Sequence, residues 1–460
     1  MAILSDGAFA FYGLLILLIL APLPFGSILP WAESFLTFSV FGLLAAWAVR
    51  PGISQATGPQ TAERGLGILL VLWALAVAFA LFQVLPLPPG VVAAMSPALR
   101  DLYAWALPDY GQGGLWRSLS TTPGATIESG LLIGACGTAF FLVARHWRSR
   151  GRILALAVTV VLVGAGEAIF GLIQVGGSLS VSRPASGTFV NRNHFAALLA
   201  MALCVGVGLL LSRWRAGAVA PVSHLHFDRW FRTTPLILAC LTILAGIIFS
   251  YSRMGLTAPI VMLVLFGGVW LSGPVSHRIR LVGTGVGLVL LLLMAGAWPA
   301  LGVVADRFRT LEETSRVVAW EGTYALFQSS PAFGIGLGGL LDNLPRFLTL
   351  PISEPFQHSH NEPLEVLAEG GVIYAALIGS GLIVYFATVV PACFRQHDPV
   401  ARGLGAGCLA GVAAVLIHSL VEFPLRMPAN ALYLSMIMGM GWAIILTPSP
   451  SKEPIARKAQ

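Results

Sequence analysis

The chain has 460 residues, 57% of them hydrophobic and only 10% charged, with a mean hydropathy of +0.83. That balance excludes a water-soluble globular domain. The net charge of +7 reflects basic residues in short cytoplasmic loops and contact with anionic lipid rather than nucleic-acid binding. Cys136, Cys204, Cys240, Cys393 and Cys408 lie in or beside apolar runs with no CxxC pair, so neither a disulfide framework nor a zinc site is expected.

Apolar runs long enough to cross a bilayer recur throughout, which predicts an all-α, polytopic integral membrane protein of about twelve transmembrane helices. The single transmembrane domain covers residues 1–460. The expected spans are Phe9–Leu29, Trp31–Val49, Leu66–Leu85, Glu128–Arg145, Ile153–Val175 and His194–Leu211, then Leu236–Ser250, Met254–Leu271, Leu281–Leu301, Asn361–Val390, Gly403–Val421 and Ala429–Leu446. An N-terminus on the cytoplasmic side puts most basic residues in inner loops. It also makes 447–460 a cytoplasmic tail. The segment before Phe9 carries no basic residue, so it lacks the charged region of a signal peptide and the first span is expected to be retained.

Two loops are too long to be simple connectors, and both fall on the outer, periplasmic side, where function is expected. The first, 86–127, offers Ser96 and Pro97 as cap and first-turn residue of a short interfacial helix with Leu99, Leu102, Tyr103 and Trp105 on its apolar side. Between the loops, Glu167 is the one carboxylate well inside a span; unpaired it would cost roughly 3 kcal/mol, so it needs an arginine partner, a proton or a catalytic role. Arg192 and Asn193, in GTFVNRNH, sit at the mouth of the sixth span, and Arg253, in SYSR, in the tight turn before the eighth. Basic residues on the outer face are all arginine. Either these arginines snorkel as anchors, or their planar forks hold phosphate or pyrophosphate oxygens.

The second outer loop, 302–360, is larger. Thr310 and Glu313 form a capping box, so a helix is expected from about Leu311 to Gln328, with Arg316, Trp320 and Tyr324 on one face. The FGIGLGG run after it reads as a flexible turn and not a phosphate loop, because no GK[ST] follows. Next come His358 and His360, one residue apart, which extended backbone would place on one side as metal ligands require. No third ligand stands out, and a single histidine as general base, oriented by Glu362 or a nearby carboxylate, is the preferred reading. Glu362 and Glu365 have a simpler role available, favouring the N-terminal end of a helix dipole. His418, Glu422 and Arg426 recur every four residues in HSLVEFPLR, where an ordinary ion pair is expected although Pro424 interrupts the stripe.

The run His360, Asn361, nine residues, Gly371, two residues, Tyr374 resembles the signature of the bacterial O-antigen ligase and O-antigen or exopolysaccharide polymerase superfamily. SYSRMG, SRVVAWEGTYALFQSSPAFGIGLGG, HSHNEPLEVLAEGG and HSLVEFPLRMPA follow in the family's order, over roughly Arg183 to Arg426. The resemblance implies a lipid-donor, GT-C-like glycosyltransferase of lipopolysaccharide or exopolysaccharide biosynthesis, working at the periplasmic face of the inner membrane. It implies no metal and no cofactor. The donor would be an undecaprenyl-diphosphate-linked glycan and the acceptor lipid A core or a second lipid-linked glycan, with membrane lipids and chain-length or export proteins as partners and no nucleic acid. His360 resembles the family histidine that activates the acceptor hydroxyl. Arg192, Arg253 and Arg316 resemble its diphosphate-contacting arginines, with Asn193, Asn361, Glu362, Glu167, His358, His418, Glu422 and Arg426 as supporting candidates. The rival class is a lipid-linked glycan flippase or other secondary transporter. That class favours charges at the bilayer midplane and repeated halves, whereas here charge gathers at the outer face and no repeat is visible.

Overall fold

The computed structural model describes residues 8–49, 59–107, 109–110, 115–146, 149–177, 184–217, 226–271, 316–349 and 356–447. Among these residues the chain is helical, with an isolated antiparallel bridge between Leu87 and Arg117. The helices in order are α1 (Ala8–Leu20), α2 (Pro30–Ala48), α3 (Gln60–Val84), α4 (Pro89–Met95), α5 (Pro97–Ala106), α6 (Pro123–His146), α7 (Arg150–Gly176) and α8 (Arg192–Gly217). They continue with α9 (His226–Phe249), α10 (Arg253–Leu271), α11 (316–329), α12 (Leu340–Asn343), α13 (Glu362–Arg395), α14 (Pro399–His418) and α15 (Pro428–Leu446). Proline in the first turn begins α2, α4, α5, α13, α14 and α15, where its missing N–H costs nothing.

Eight described helices are long and apolar enough to cross a membrane, and three shorter apolar ones match the first, seventh and eighth expected spans. The ninth, Leu281–Leu301, lies outside the described residues, as do the Thr310–Glu313 capping box and most of the tail. The first span stops early, at Leu20, because Pro22 and Pro24 follow. α6 starts five residues before expectation, at Pro123, drawing part of the first outer loop into a helix.

The bundle centres on α8, α14 and α15, most of whose residues are buried. α8 and α14 touch backbone to backbone: a Cβ at Gly208 would lie 2.9 Å from the Gly403 carbonyl oxygen and from the Gly407 Cα. This close approach through glycine is how membrane helices gain packing contacts without a hydrophobic driving force between them. The peripheral helices instead expose large apolar side chains, such as Phe38 on α2, Val71 on α3 and Ile383 on α13, as lipid-facing surfaces do.

The glycine-rich turn after α11 is a docked element rather than a flexible one. α13 breaks at Gly371 (φ 65°, ψ −174°), a conformation confined to glycine, and the turn fills the break. Val372 N donates to Pro331 O (2.8 Å), while Ile335 N and Gly336 N donate to the carbonyls of Ala368 (3.2 Å) and Glu369 (3.0 Å). Gln83, fully buried in α3, closes the joint: its Nε2 donates to the carbonyls of Phe333 (2.8 Å) and Glu369 (2.9 Å), and its Oε1 accepts from Leu337 N (3.2 Å). Backbone groups freed by the break are thereby satisfied. Tyr374 packs beside Phe79 with ring centroids 5.6 Å apart.

Candidate active site

The polar residues of interest meet at one end of the bundle, where α8, α10, α13 and α15 begin and α14 ends. Asn361 caps α13, its side chain accepting from Leu364 N (3.1 Å). The residue before it, His360, has φ +53°, a left-handed conformation that a non-glycine residue adopts at a cost of order 1–3 kcal/mol when its surroundings hold it there. What holds it is Glu422, in the turn after α14. Glu422 Oε2 meets His360 Nδ1 at 3.0 Å, and Oε1 accepts from Arg316 (2.5 Å) and from Asn193 Nδ2 (2.7 Å). Glu422 is 3% exposed. Burial pushes its carboxyl up, but the hydrogen bond from His360 and then the charges of His360, Arg316 and His418 outweigh burial and hold it below the ordinary 4.5.

His358 belongs to a second network. Its Nδ1 meets Glu365 Oε1 at 2.7 Å, and Glu365 Oε2 accepts from Ser359 N (3.0 Å) and Ser359 Oγ (3.2 Å). Arg426 bridges Glu365 (3.3 Å) and Glu369 (2.6 Å), and Glu369 also accepts from Leu340 N at 3.2 Å. The two histidines therefore do not present a shared ligand set, because left-handed backbone at His360 removes the alternation that extended chain would impose and each ring is tied to its own carboxylate. Phe423 stands between them, its ring centroid 4.3 Å from His358, 4.9 Å from His360 and 4.5 Å from His194.

Glu362 does more than face a helix dipole. Its carboxylate accepts from Leu425 N (2.6 Å) and Arg426 N (3.1 Å), and its own N–H donates to Ser419 O (2.9 Å). It thus clamps the 3-10 turn Pro424–Arg426 that presents Arg426. The expected His418–Glu422–Arg426 stripe is not an ion-pair ladder: α14 ends at His418, Glu422 turns to His360 and Arg316, and Arg426 turns to α13. His418 is 1% exposed, and neither ring nitrogen has a hydrogen-bond partner among the described residues.

Arg192 and Arg253 begin α8 and α10, which pack on each other. Arg192 is half-buried and has no ion pair among the described residues. Arg316 is already paired with Glu422. Among the described residues Glu167 neither joins the cluster nor meets an arginine: its two oxygens accept from Thr188 N and Thr188 Oγ1, both at 2.9 Å, and so it anchors the segment leading into α8. Sequence reasoning missed Glu369, Phe423, His194 and Gln83. Only Glu369 left a signal, since 362, 365 and 369 fall on one helical face.

Beside the cluster a groove of ≈ 580 Å³ runs between α3, α6, α13 and α15. His358, Glu362 and Arg426 stand at its mouth, together with Glu33 and Glu128, and its length is apolar, with Leu69, Trp73, Leu132, Leu377 and Met438. Such a groove suits a ligand with an aliphatic body and a polar head.

A bundle with eight helices long and apolar enough to cross a membrane among the described residues, tying two histidines to buried carboxylates at one end, is a multi-pass membrane protein. Residues 238–379 match the family model described as O-antigen ligase, so this part of the chain is similar to the O-antigen ligase superfamily. No curated protein matches the chain. The matched segment holds Arg253, Arg316, His358, His360, Glu365, Glu369 and Gly371, whereas Asn193, Glu422 and Arg426 lie outside it. The family supports glycosyltransferase chemistry of the O-antigen ligase or polymerase type in general, with a lipid-linked glycan and an acceptor as substrates.

Proposed function

We propose that the protein transfers a glycan from an undecaprenyl-diphosphate donor to an acceptor sugar hydroxyl at the periplasmic face of the inner membrane, with inversion and without a metal ion. The observation that carries this reading is the His360–Glu422 pair with Arg316 and Asn193 on the same carboxylate. Nδ1–H given to Glu422 leaves the lone pair of the imidazole on Nε2, the form a general base needs. Nε2 takes the proton of the acceptor hydroxyl as its oxygen bonds to the anomeric carbon. The bond from that carbon to the diphosphate oxygen breaks, and its electron pair leaves with the diphosphate. Arg192 and Arg253, at the ends of α8 and α10, stabilise the developing negative charge, and the apolar groove holds the lipid of a substrate.

The test uses proteoliposomes with an undecaprenyl-diphosphate glycan, lipid A core or a second lipid-linked glycan, and EDTA. Wild type, His360→Ala and Arg253→Ala are compared by product mass. Extended glycan or glycosylated core from the wild type, absent from both variants and unaffected by EDTA, is the expected result and separates polymerase from ligase. A folded wild type that forms no bond with either acceptor, but moves lipid-linked glycan across the bilayer, would replace this reading with transport.

A further inference from the structure

A second pocket, of ≈ 290 Å³, lies between the two outer loops and shares no lining residue with the groove. One wall is the stripe Ala98, Leu102 and Trp105 of α5; the other is the end of α11 with Asn343, Arg346 and Phe347. The glycine-rich turn separates the two cavities: Gly334 and Ile335 line the pocket, while Leu337 and Gly338 line the groove. The turn thus has the groove on one side and the pocket on the other.

The pocket is built for a ligand with one apolar face and a polar edge. Leu102 and Phe347 offer apolar surface, and Trp105, 84% exposed, stands at the pocket with its indole largely uncovered. The polar side is already organised, since Asn343 is 2% exposed and fixed by bonds from Nδ2 to Thr121 Oγ1 (2.8 Å) and Gly339 O (2.7 Å). Ser96 is 1% exposed and lines the pocket, and its hydroxyl has no hydrogen-bond partner among the described residues; a buried polar atom left so is costly unless a ligand or water completes it. Arg346 is exposed and has no ion pair among the described residues. The volume is small for a lipid tail or a whole repeat unit and ample for one sugar ring, whose C–H face stacks on an aromatic plane while its hydroxyls take polar partners.

We propose that this pocket is a subsite for a distal sugar ring of the glycan whose lipid lies in the groove. The proposal rests on the glycosyltransferase reading. Its ligand is the carbohydrate itself, independent of the lipid and of the bond being made.

The test is calorimetric titration of the full chain in detergent with the water-soluble oligosaccharide released from the lipid-linked donor by mild acid. Trp105 and Arg346 are exposed, so Trp105→Ala and Arg346→Ala truncate side chains without opening the core. Both are expected to weaken binding by about tenfold or more, with Trp105→Phe retaining most of it. Unchanged binding in Trp105→Ala and Arg346→Ala, or no binding by the folded wild type, would overturn the proposal. A protein that transfers no glycan yet loses binding in Trp105→Ala fails the reading of function and keeps the subsite. One that transfers glycan while the pocket variants bind normally does the reverse.

Discussion

Glu422→Gln changes one oxygen to an amide nitrogen in a pocket that supplies donors from three residues. Arg316 and Asn193 both approach Oε1 (2.5 and 2.7 Å), and His360 approaches Oε2 (3.0 Å). The glutamine therefore keeps its oxygen toward Arg316 and Asn193 and presents its NH2 to His360. Hydrogen bonds involving a charged group are worth about 1.5–3 kcal/mol and neutral ones about 0.5–1.5, so the bonds with Asn193 and His360 weaken while that from Arg316 keeps its charged donor, for a loss on the order of 2–3 kcal/mol of stability. The effect on turnover is larger. His360 Nδ1 must now accept, the ring proton moves to Nε2, and the lone pair that receives the acceptor's proton is gone. An amide in the same relation to a catalytic histidine elsewhere lowers turnover by about 10⁴, so a loss of about 10³–10⁴, or ~4–5.5 kcal/mol, is expected here. The assay is transfer rate in proteoliposomes, with thermal unfolding in detergent to verify that the variant is folded. A folded Glu422→Gln protein within about tenfold of wild type would show that Glu422 does not set the tautomer of a catalytic His360.

Acid should remove the stabilisation from Glu422. A carboxyl held below its unfolded value of 4.5 contributes stability that is fully present above that pH and is lost as pH falls through the lower folded value. The gap in unfolding temperature between wild type and Glu422→Gln should thus narrow below about pH 4.5, and a gap that widens there would contradict the direction of the shift. Gly371→Ala should destabilise by about 3 kcal/mol or more, combining backbone strain with a clash, because its Cβ would lie 2.2 Å from Ala332 O at φ +65°; an unfolding temperature within about 2 °C of wild type would refute this. Arg426→Met strands Glu365 and Glu369, 0% and 1% exposed, at a cost of about 3–5 kcal/mol. Adding Glu369→Gln should restore part of the loss, and no recovery in the double variant would mean that the charge of Glu369 is not what Arg426 balances.

Much of the fold was legible because a bilayer leaves few options. Apolar runs predict where helices lie, and that reading located α2, α13, α14 and α15 to within four residues of their observed starts. It failed where the outcome depended on contacts distant in sequence. The FGIGLGG run looked flexible from its glycines, yet positive φ at Gly334, Gly336 and Gly338 lets the backbone approach α13, and Gln83, some 250 residues earlier, holds it there. No periodicity in α3 marks Gln83 as anything but one polar residue near a helix end.

The candidate site divides along the same line. His358, His360, Glu365 and Arg426 could be named because unpaired charge at a helix mouth needs a reason, but their partners could not be assigned. HSLVEFPLR suggests an internal ladder at four-residue spacing, and the fold separates it. Proline at 424 stops helical geometry, so Glu422 and Arg426 leave in different directions, one to each histidine network. Phe423, the residue after Glu422, fills the space between the two rings. This arrangement also accounts for the strained backbone at His360. With Ser359 bonded to Glu365 and Asn361 committed as the cap of α13, only a left-handed residue turns the second imidazole from the first carboxylate to the second. The strain is the local cost of serving two carboxylates with histidines one residue apart.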